Sequence, residues 1–336
     1  MRIGVIGTGA VGGTIAALLD RAGCQVEVTA RGEHLAAIRE RGLTLAGAWG
    51  DHVARPLAGE TLSRQPDIAF ICTKAQDAPE AIRANQQMLT GIPVVIAQNG
   101  LVGVDEASRL LPGSECIGLL ALYAAQFLAP GTITVTAPGP SYVGVGGGAV
   151  TESVRHVART LNTAMPTVAT DNFVGTQWTK LIVNQVNAMP AITGMSAQET
   201  IADRRLRRLI TLSMREAARV GFASGVTFGT LKPLDNGLLR VFAAVPVWVG
   251  QALPWLMARR MGTVPNQGST LQSIRRGRST EIDYLNGAVV DAAEAAGVPA
   301  PVNAAFVALV HRVERDGAFL TPAEVLAAVP RDSNRE

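Results

Sequence analysis

A chain of 336 residues, 48% hydrophobic and 17% charged, has length for roughly two domains of about 150 residues and too many core formers to stay disordered. Its net charge of +3 gathers only at RRLRR (204–208) and RRGR (275–278), which read as solvated helix surface; no nucleic-acid partner is expected. The most apolar run, 238–257, is interrupted by Arg240, Pro246, Gln251 and Pro254, a pattern suited to kinked helices inside the protein or at a subunit interface such as that of a homodimer, and unsuited to a membrane span.

The chain opens on MRIGVIG, an apolar strand with no charged leader or cleavage site before it, so a cytoplasmic protein is expected. The strand runs directly into GTGAVG and then the helix-like VGGTIAALLDRAG. This is G-x-G-x-x-G in strand–turn–helix context. Gly7 serves the tight turn, Gly9 the close approach of a pyrophosphate, and Gly12 the packing of helix on strand. Thr8, Ala10 and Val11 complete the loop and are counted with the glycines as cofactor-binding. The next strand, QVEVTA, ends at Thr29, Ala30 and Arg31. Folds selective for NAD usually place a carboxylate at this end for the ribose 2′-hydroxyl, and Glu27 comes too early for that. An arginine matches the 2′-phosphate, so the expected cofactor is NADP(H), with Arg31 as a binding residue.

Further strands are predicted over 67–73 (DIAFICT), 93–98 (PVVIAQ) and 115–122 (ECIGLLAL). Lys74 follows the first and Asn99 the second. Both stand where ligands bind in open parallel sheets, beyond the carboxyl ends of the strands. The run 131–148 reads as a hairpin-type extension whose glycines serve turns. Cys24, Cys72 and Cys116 lack C-x-x-C spacing and read as buried thiols in a reducing compartment, and no metal site is expected.

After PTVATDN the pattern turns helical, with Thr170 or Asp171 as N-cap. The expected architecture is α/β: a Rossmann-type doubly wound sheet that binds NADP over 1–170, and an all-helical substrate and catalytic domain over 171–336. Its first helix carries WTKLIVNQVN, 178–187. Lysine is rare here: Lys74, Lys180 and Lys232 are the three among 30 lysines and arginines. Lys180, Asn184 and Asn187 stand at i, i+4 and i+7, one polar stripe on an otherwise apolar helix. A solvated surface would produce such a stripe, but its lack of Glu and Arg suits a lined cleft better. Lysine, unlike arginine, can surrender a proton to the oxygen of a ketone undergoing reduction, which makes Lys180 the candidate general acid. The segment 268–290, GSTLQSIRRGRSTEIDYLNGAVV, adds Ser269, Glu281 and Asp283; spacing alone leaves open which of them point inward.

Taken together, the glycine loop, Arg31, Lys74, QNG ending at Gly100, WTKLIVN and STEIDYLNG resemble the ketopantoate reductase family over nearly the full chain. The resemblance implies NADPH-dependent reduction of a 2-oxo acid to an (R)-2-hydroxy acid, in that family ketopantoate to pantoate for pantothenate synthesis. It implies Lys180 as general acid, Glu281 as the carboxylate near the substrate, and Asn99, Asn184 and Ser269 in the substrate pocket. Lys74 matches the lysine that cofactor and substrate share, and Asn99 is counted on the cofactor side as well. Three departures lie on the substrate side. Ala188 stands where the family has a second helix asparagine, one place after Asn187, which a regular helix would still aim into the cleft. GSTLQS lacks the family's acid at Ser273, and the apolar stretch 233–265 is long. Alternatives are a reductase of another bulky 2-oxo acid, a 3-hydroxyacid dehydrogenase, or a non-catalytic NADP-binding sensor.

Overall fold

The first unit, Met1–Val174, is organised by strands in the computed structural model, which describes residues 1–262 and 265–330. They are β1 (Arg2–Ile6), β2 (Gln25–Thr29), β3 (Leu43–Gly47), β4 (His52–Ala54), β5 (Leu57–Gly59), β6 (Ile68–Ile71), β7 (Val94–Ile96), β8 (Cys116–Ala121), β9 (Ala124–Ala129), β10 (Thr132–Ala137), β11 (Ser141–Gly144) and β12 (Thr167–Ala169). Eight of them form one sheet in the order β12-β11-β8-β7-β6-β1-β2-β5. From β5 through β8 the pairs are parallel. Such strands are covered on both faces, which is why IAFI of β6 is apolar throughout and wholly buried. Ile15, Leu18 and Leu19 of the helix Ala10–Arg21 pack one face; Ile82, Val104 and Leu111 pack the other. The chain order reverses between β1 and β6, and the crevice of a doubly wound fold opens at that point.

The stretch predicted as a hairpin over 131–148 is divided differently. The hairpin is β9 with β10, joined at Pro130 and Gly131, and β10 also pairs in parallel with β3. These strands and β4 make a separate four-stranded sheet, β4-β3-β10-β9. Alternation explains it: Ile133 and Val135 are buried against the first helix's cluster, while Thr132 and Thr134 on the other face are only partly covered. β11 leaves the hairpin and returns to the main sheet, antiparallel to β8. Cys116 is buried at the start of β8, whereas Cys72, just after β6, and Cys24, just before β2, are half-buried and not in strands. All three thiols are free, and burial pushes each of them up.

The second unit, Gly175–Glu336, is helical. Its long member, Arg204–Ala223, begins at Asp203, whose carboxylate accepts the backbone N–H of Arg205 and Leu206. The helices Ala288–Ala296 and Pro301–Asp316 pack against it. The apolar run forms three short helices, Asn236–Ala244, Val247–Gly250 and Ala252–Arg260. Pro246 forces the first break, because it cannot continue the hydrogen-bond ladder of the helix before it. The run is not interior within this unit: Leu239 and Phe242 are buried, but Val241, Trp248, Trp255 and Leu256 are exposed, Trp248 to 76%. Residues 263 and 264 of the stretch 233–265, and residues 331–336 of the predicted second domain, lie outside the described residues. Among the described residues, no helix is long and apolar enough to cross a membrane.

Candidate active site

In the first unit the predicted cofactor residues gather at the carboxyl ends of the neighbouring strands β7, β6, β1 and β2. Gly7 ends β1 with φ +90°, the left-handed region that favours glycine. A Cβ added at Gly12 would run into the Gly7 carbonyl oxygen, so the helix Ala10–Arg21 can start this close to the strand only with glycine there. At Gly9, by contrast, an added Cβ would meet nothing within 4 Å. No side chain caps this helix, so its first amides face that open space, a cradle suited to a pyrophosphate. Side chains hold the loop: Thr29 Oγ1 accepts from Gly7 N at 3.1 Å, and Thr8 Oγ1 donates to Thr29 O at 3.1 Å. His34 ties the loop to the hairpin. Its Nδ1 accepts from Gly131 N at 2.9 Å, which leaves Nε2 to donate to Thr8 O at 2.8 Å.

Arg31 directly precedes the helix Gly32–Arg41 and is exposed. Its guanidinium donates to Glu80 Oε1 at 2.9 Å across the crevice mouth, a partner that sequence reasoning missed. Glu27 is occupied elsewhere, buried and accepting from Ser63 N at 2.6 Å. Lys74 is half-buried at the start of the single turn Ala75–Asp77, and Asn99 lies three residues beyond β7. Gln98 Nε2 donates to Thr73 O at 3.1 Å and joins these two loops. The residues present therefore fit a dinucleotide.

Lys180, in the second unit, stands on the helix Phe173–Asn184, whose first two residues belong to the first unit and which is not regular beyond its end. Gln185–Asn187 form a 3-10 turn before Ala188–Thr193 resumes as α-helix. Pro190 supplies a cause, since it cannot donate to the carbonyl four residues back. Residues three apart eclipse in a 3-10 turn, so Asn187 stands over Asn184 and the stripe survives the change. Lys180, Asn184 and Asn187 are partly accessible, whereas Leu181, Ile182, Gln185, Val186 and Ala188 are buried. Ala188 thus belongs to the core. Burial pushes the Lys180 ammonium down to about 8, against the pull of the Glu281 charge. Glu281 is thus near enough for its charge to act on Lys180. Asn187 meets the helix Gly268–Arg275: a Cβ at Gly268 would lie 2.8 Å from its Oδ1, and Ser269, exposed, comes next. Ser273 donates to Ser269 O at 3.2 Å. Asp283 points away from this group, accepting from His311 Nε2 at 2.8 Å.

Comparison with known proteins gives a consistent picture. The family model described as ketopantoate reductase PanE/ApbA matches residues 3–148, and that described as ketopantoate reductase PanE/ApbA C terminal matches residues 172–314. A 2-dehydropantoate 2-reductase of Pyrococcus abyssi is 28% identical over 310 residues, covering 90% of this chain and 94% of that one. The crystal structure of a PanE/ApbA family ketopantoate reductase from Ralstonia eutropha JMP134 superposes with a TM-score of 0.79 at 27% identity, covering 94% of this chain and 99% of the other. D-mandelate dehydrogenase with NADH and anilino(oxo)acetate, at 21% identity and a TM-score of 0.82 over 94% of this chain and 99% of its own, is similar in fold.

Proposed function

This chain belongs to the ketopantoate reductase family and is an oxidoreductase, and from that premise we propose that it reduces 2-dehydropantoate to (R)-pantoate with NADPH, in the cytoplasm. The first unit is the NADPH-binding part, with Gly7 to Gly12 against the pyrophosphate and Arg31 against the 2′-phosphate. Lys74 and Asn99 border the nicotinamide side. When bound, NADPH supplies the hydride for the ketone carbon. The second unit is the substrate and catalytic part. Lys180 donates its proton to the substrate oxygen as negative charge develops there. Glu281 is the carboxylate beside the substrate, with Asn99, Asn184, Asn187 and Ser269 as hydrogen-bonding groups that orient it without changing its charge.

The observation that carries this reading is the state of Lys180. A lysine held at about 8 by burial, with a carboxylate charge acting on it, is mostly protonated at neutral pH yet gives its proton far more readily than a solvated lysine. A steady-state screen of 2-oxo acids with NADPH and with NADH tests the proposal. Turnover is expected to be fastest with 2-dehydropantoate and NADPH. A second reading, another bulky 2-oxo acid, is favoured by Ala188, where this chain lacks an asparagine of the family pattern, and by Ser273, where it lacks the acid; the same screen decides between them.

A further inference from the structure

Behind the Lys180 stripe lies a buried polar cluster that the proposed chemistry does not use. Gln185, Ser213, Asn286 and Asn303 are all fully buried and come from four different segments: the 3-10 turn after the lysine helix, the long helix Arg204–Ala223, the π-helical turn Asp283–Gly287, and the helix Pro301–Asp316. Asn286 Nδ2 donates to Gln185 Oε1 at 2.6 Å and to Asn303 Oδ1 at 2.9 Å. The Ser213 hydroxyl lies 3.1 Å from the same Gln185 oxygen and 3.0 Å from the same Asn303 oxygen, and donates to one of them. Gln185 Nε2 donates to Leu181 O at 3.0 Å. Asn303 Nδ2 donates to Ser213 O at 3.1 Å and to Glu216 Oε2 at 2.7 Å. Two acceptor oxygens facing Asn286 fix which way its amide points, and its own Oδ1 is left buried without a protein partner.

The spacing gives this cluster a consequence. Gln185 stands five residues after Lys180, and Asn286 five after Glu281. The 2.6 Å amide bond is therefore a tie between the two segments that carry the charged pair. A π-helical turn is an energetically poor way to build a helix and recurs at functional positions; here it carries Asn286 in the buried cluster, at the position where it meets Gln185. We propose that the Gln185–Asn286 pair, completed by Ser213 and Asn303, is a positioning cluster that holds Glu281 at a set distance from Lys180. This rests on the reading of Lys180 as proton donor. Other charged groups around the two segments are Glu216 on the long helix, and Asp283, His311 and Glu314 on the far side of the 280s turn.

The test is kcat against pH for wild type, Gln185→Leu, Asn286→Leu and the double variant, with NADPH and the 2-oxo acid that the screen selects. If the tie is cut, the segment that carries Glu281 shifts, and Lys180 feels less of the charge that favours its protonated form. The alkaline limb of kcat is then expected to move to lower pH by about one unit, and kcat to fall by about 10- to 100-fold, the scale of a misplacement near 1 Å. NADPH affinity is expected to stay unchanged. The double variant is expected to be no worse than the worse single, because both cut the same tie. Val310→Ala, a buried change outside the cluster, is expected to lower Tm and leave the limb in place. If Asn286→Leu fails to fold, Gln185→Met carries the same prediction from the other side of the bond. A limb at the wild-type position in folded cluster variants overturns the proposal. A wild type with no alkaline limb, or an active Lys180→Ala, overturns the proton-donor reading beneath it.

Discussion

Lys180 is costly to the fold in the state that the proposed chemistry needs. Its folded-state pKa of about 8 lies below the value near 10.4 of an unfolded lysine. The unfolded chain therefore binds more protons between those values, and stability rises with pH across that window. Below pH 8 the full cost is present, at most about 3 kcal/mol for a side chain that keeps some contact with solvent. Lys180→Met is accordingly expected to raise Tm at pH 7 by several degrees while abolishing activity, and the gain is expected to shrink as pH rises toward 10. Thermal unfolding of both proteins at pH 7 and pH 9.5 checks this, and a Lys180→Met protein less stable at pH 7 contradicts it. A second residue-scale expectation concerns Arg31. Its ion pair with Glu80 is exposed on both sides and so worth at most about 1 kcal/mol. In the proposed function a 2′-phosphate, doubly charged, would displace it. Glu80→Gln is expected to tighten NADPH binding about two- to fivefold, within that limit, and to leave NADH binding unchanged. Fluorescence titration of both cofactors reads the difference, and Arg31→Ala is expected to remove it.

At the scale of elements, the turn that carries Glu281 is clasped from its outer side by the helix Pro301–Asp316. His311 bridges Asp283 and Glu314 at 2.8 Å each, and Glu314 also accepts from Thr280 N at 2.7 Å. Burial pulls the His311 pKa down, but the two carboxylates outweigh it and the net shift is upward. A raised folded-state pKa contributes stability that is fully present below about pH 6.5, the unfolded value, and is lost as pH rises through the folded one. His311→Leu is therefore expected to lower Tm more at pH 6 than at pH 8.5; an equal loss at both contradicts a charged clasp. Only the His311–Glu314 contact, three residues apart on one helix, is local; the ties to Asp283 and Thr280 were not legible in the sequence, because they join the 280s segment to a helix that follows it. The glycine loop was legible because its three glycines answer to one local turn. Lys180 and Asn184 of the stripe were legible because they stand one helical turn apart on a single helix. The 3-10 turn at Gln185–Asn187 was not, although Pro190 was a local warning that the helix could not run on unchanged. The second sheet escaped because β3 and β10 are far apart in sequence and each is only a few residues long. Asn286 could have been flagged: an Asn-Gly pair suggests a surface turn, yet here it stands inside an apolar helical pattern, where a polar side chain must find partners or stay out of the core.

In the molecule as a whole, the proposed function divides labour between two units. Met1–Val174 holds the glycine cradle, Arg31 and the loops bearing Lys74 and Asn99, so it is assigned the cofactor. Gly175–Glu336 holds Lys180, Glu281 and the asparagine stripe, so it is assigned the proton. The most direct measurement is kcat against pH, together with NADPH affinity, for wild type, Lys180→Ala and Lys180→Arg. A positioned general acid is worth about 10²- to 10⁴-fold in rate. Arginine keeps the charge but does not release a proton. Both variants are therefore predicted to lose about that factor in kcat while binding NADPH as wild type does, and wild-type kcat is predicted to fall above about pH 8, where Lys180 loses its proton. A Lys180→Arg enzyme within a few-fold of wild type would contradict the account, because charge alone would then suffice.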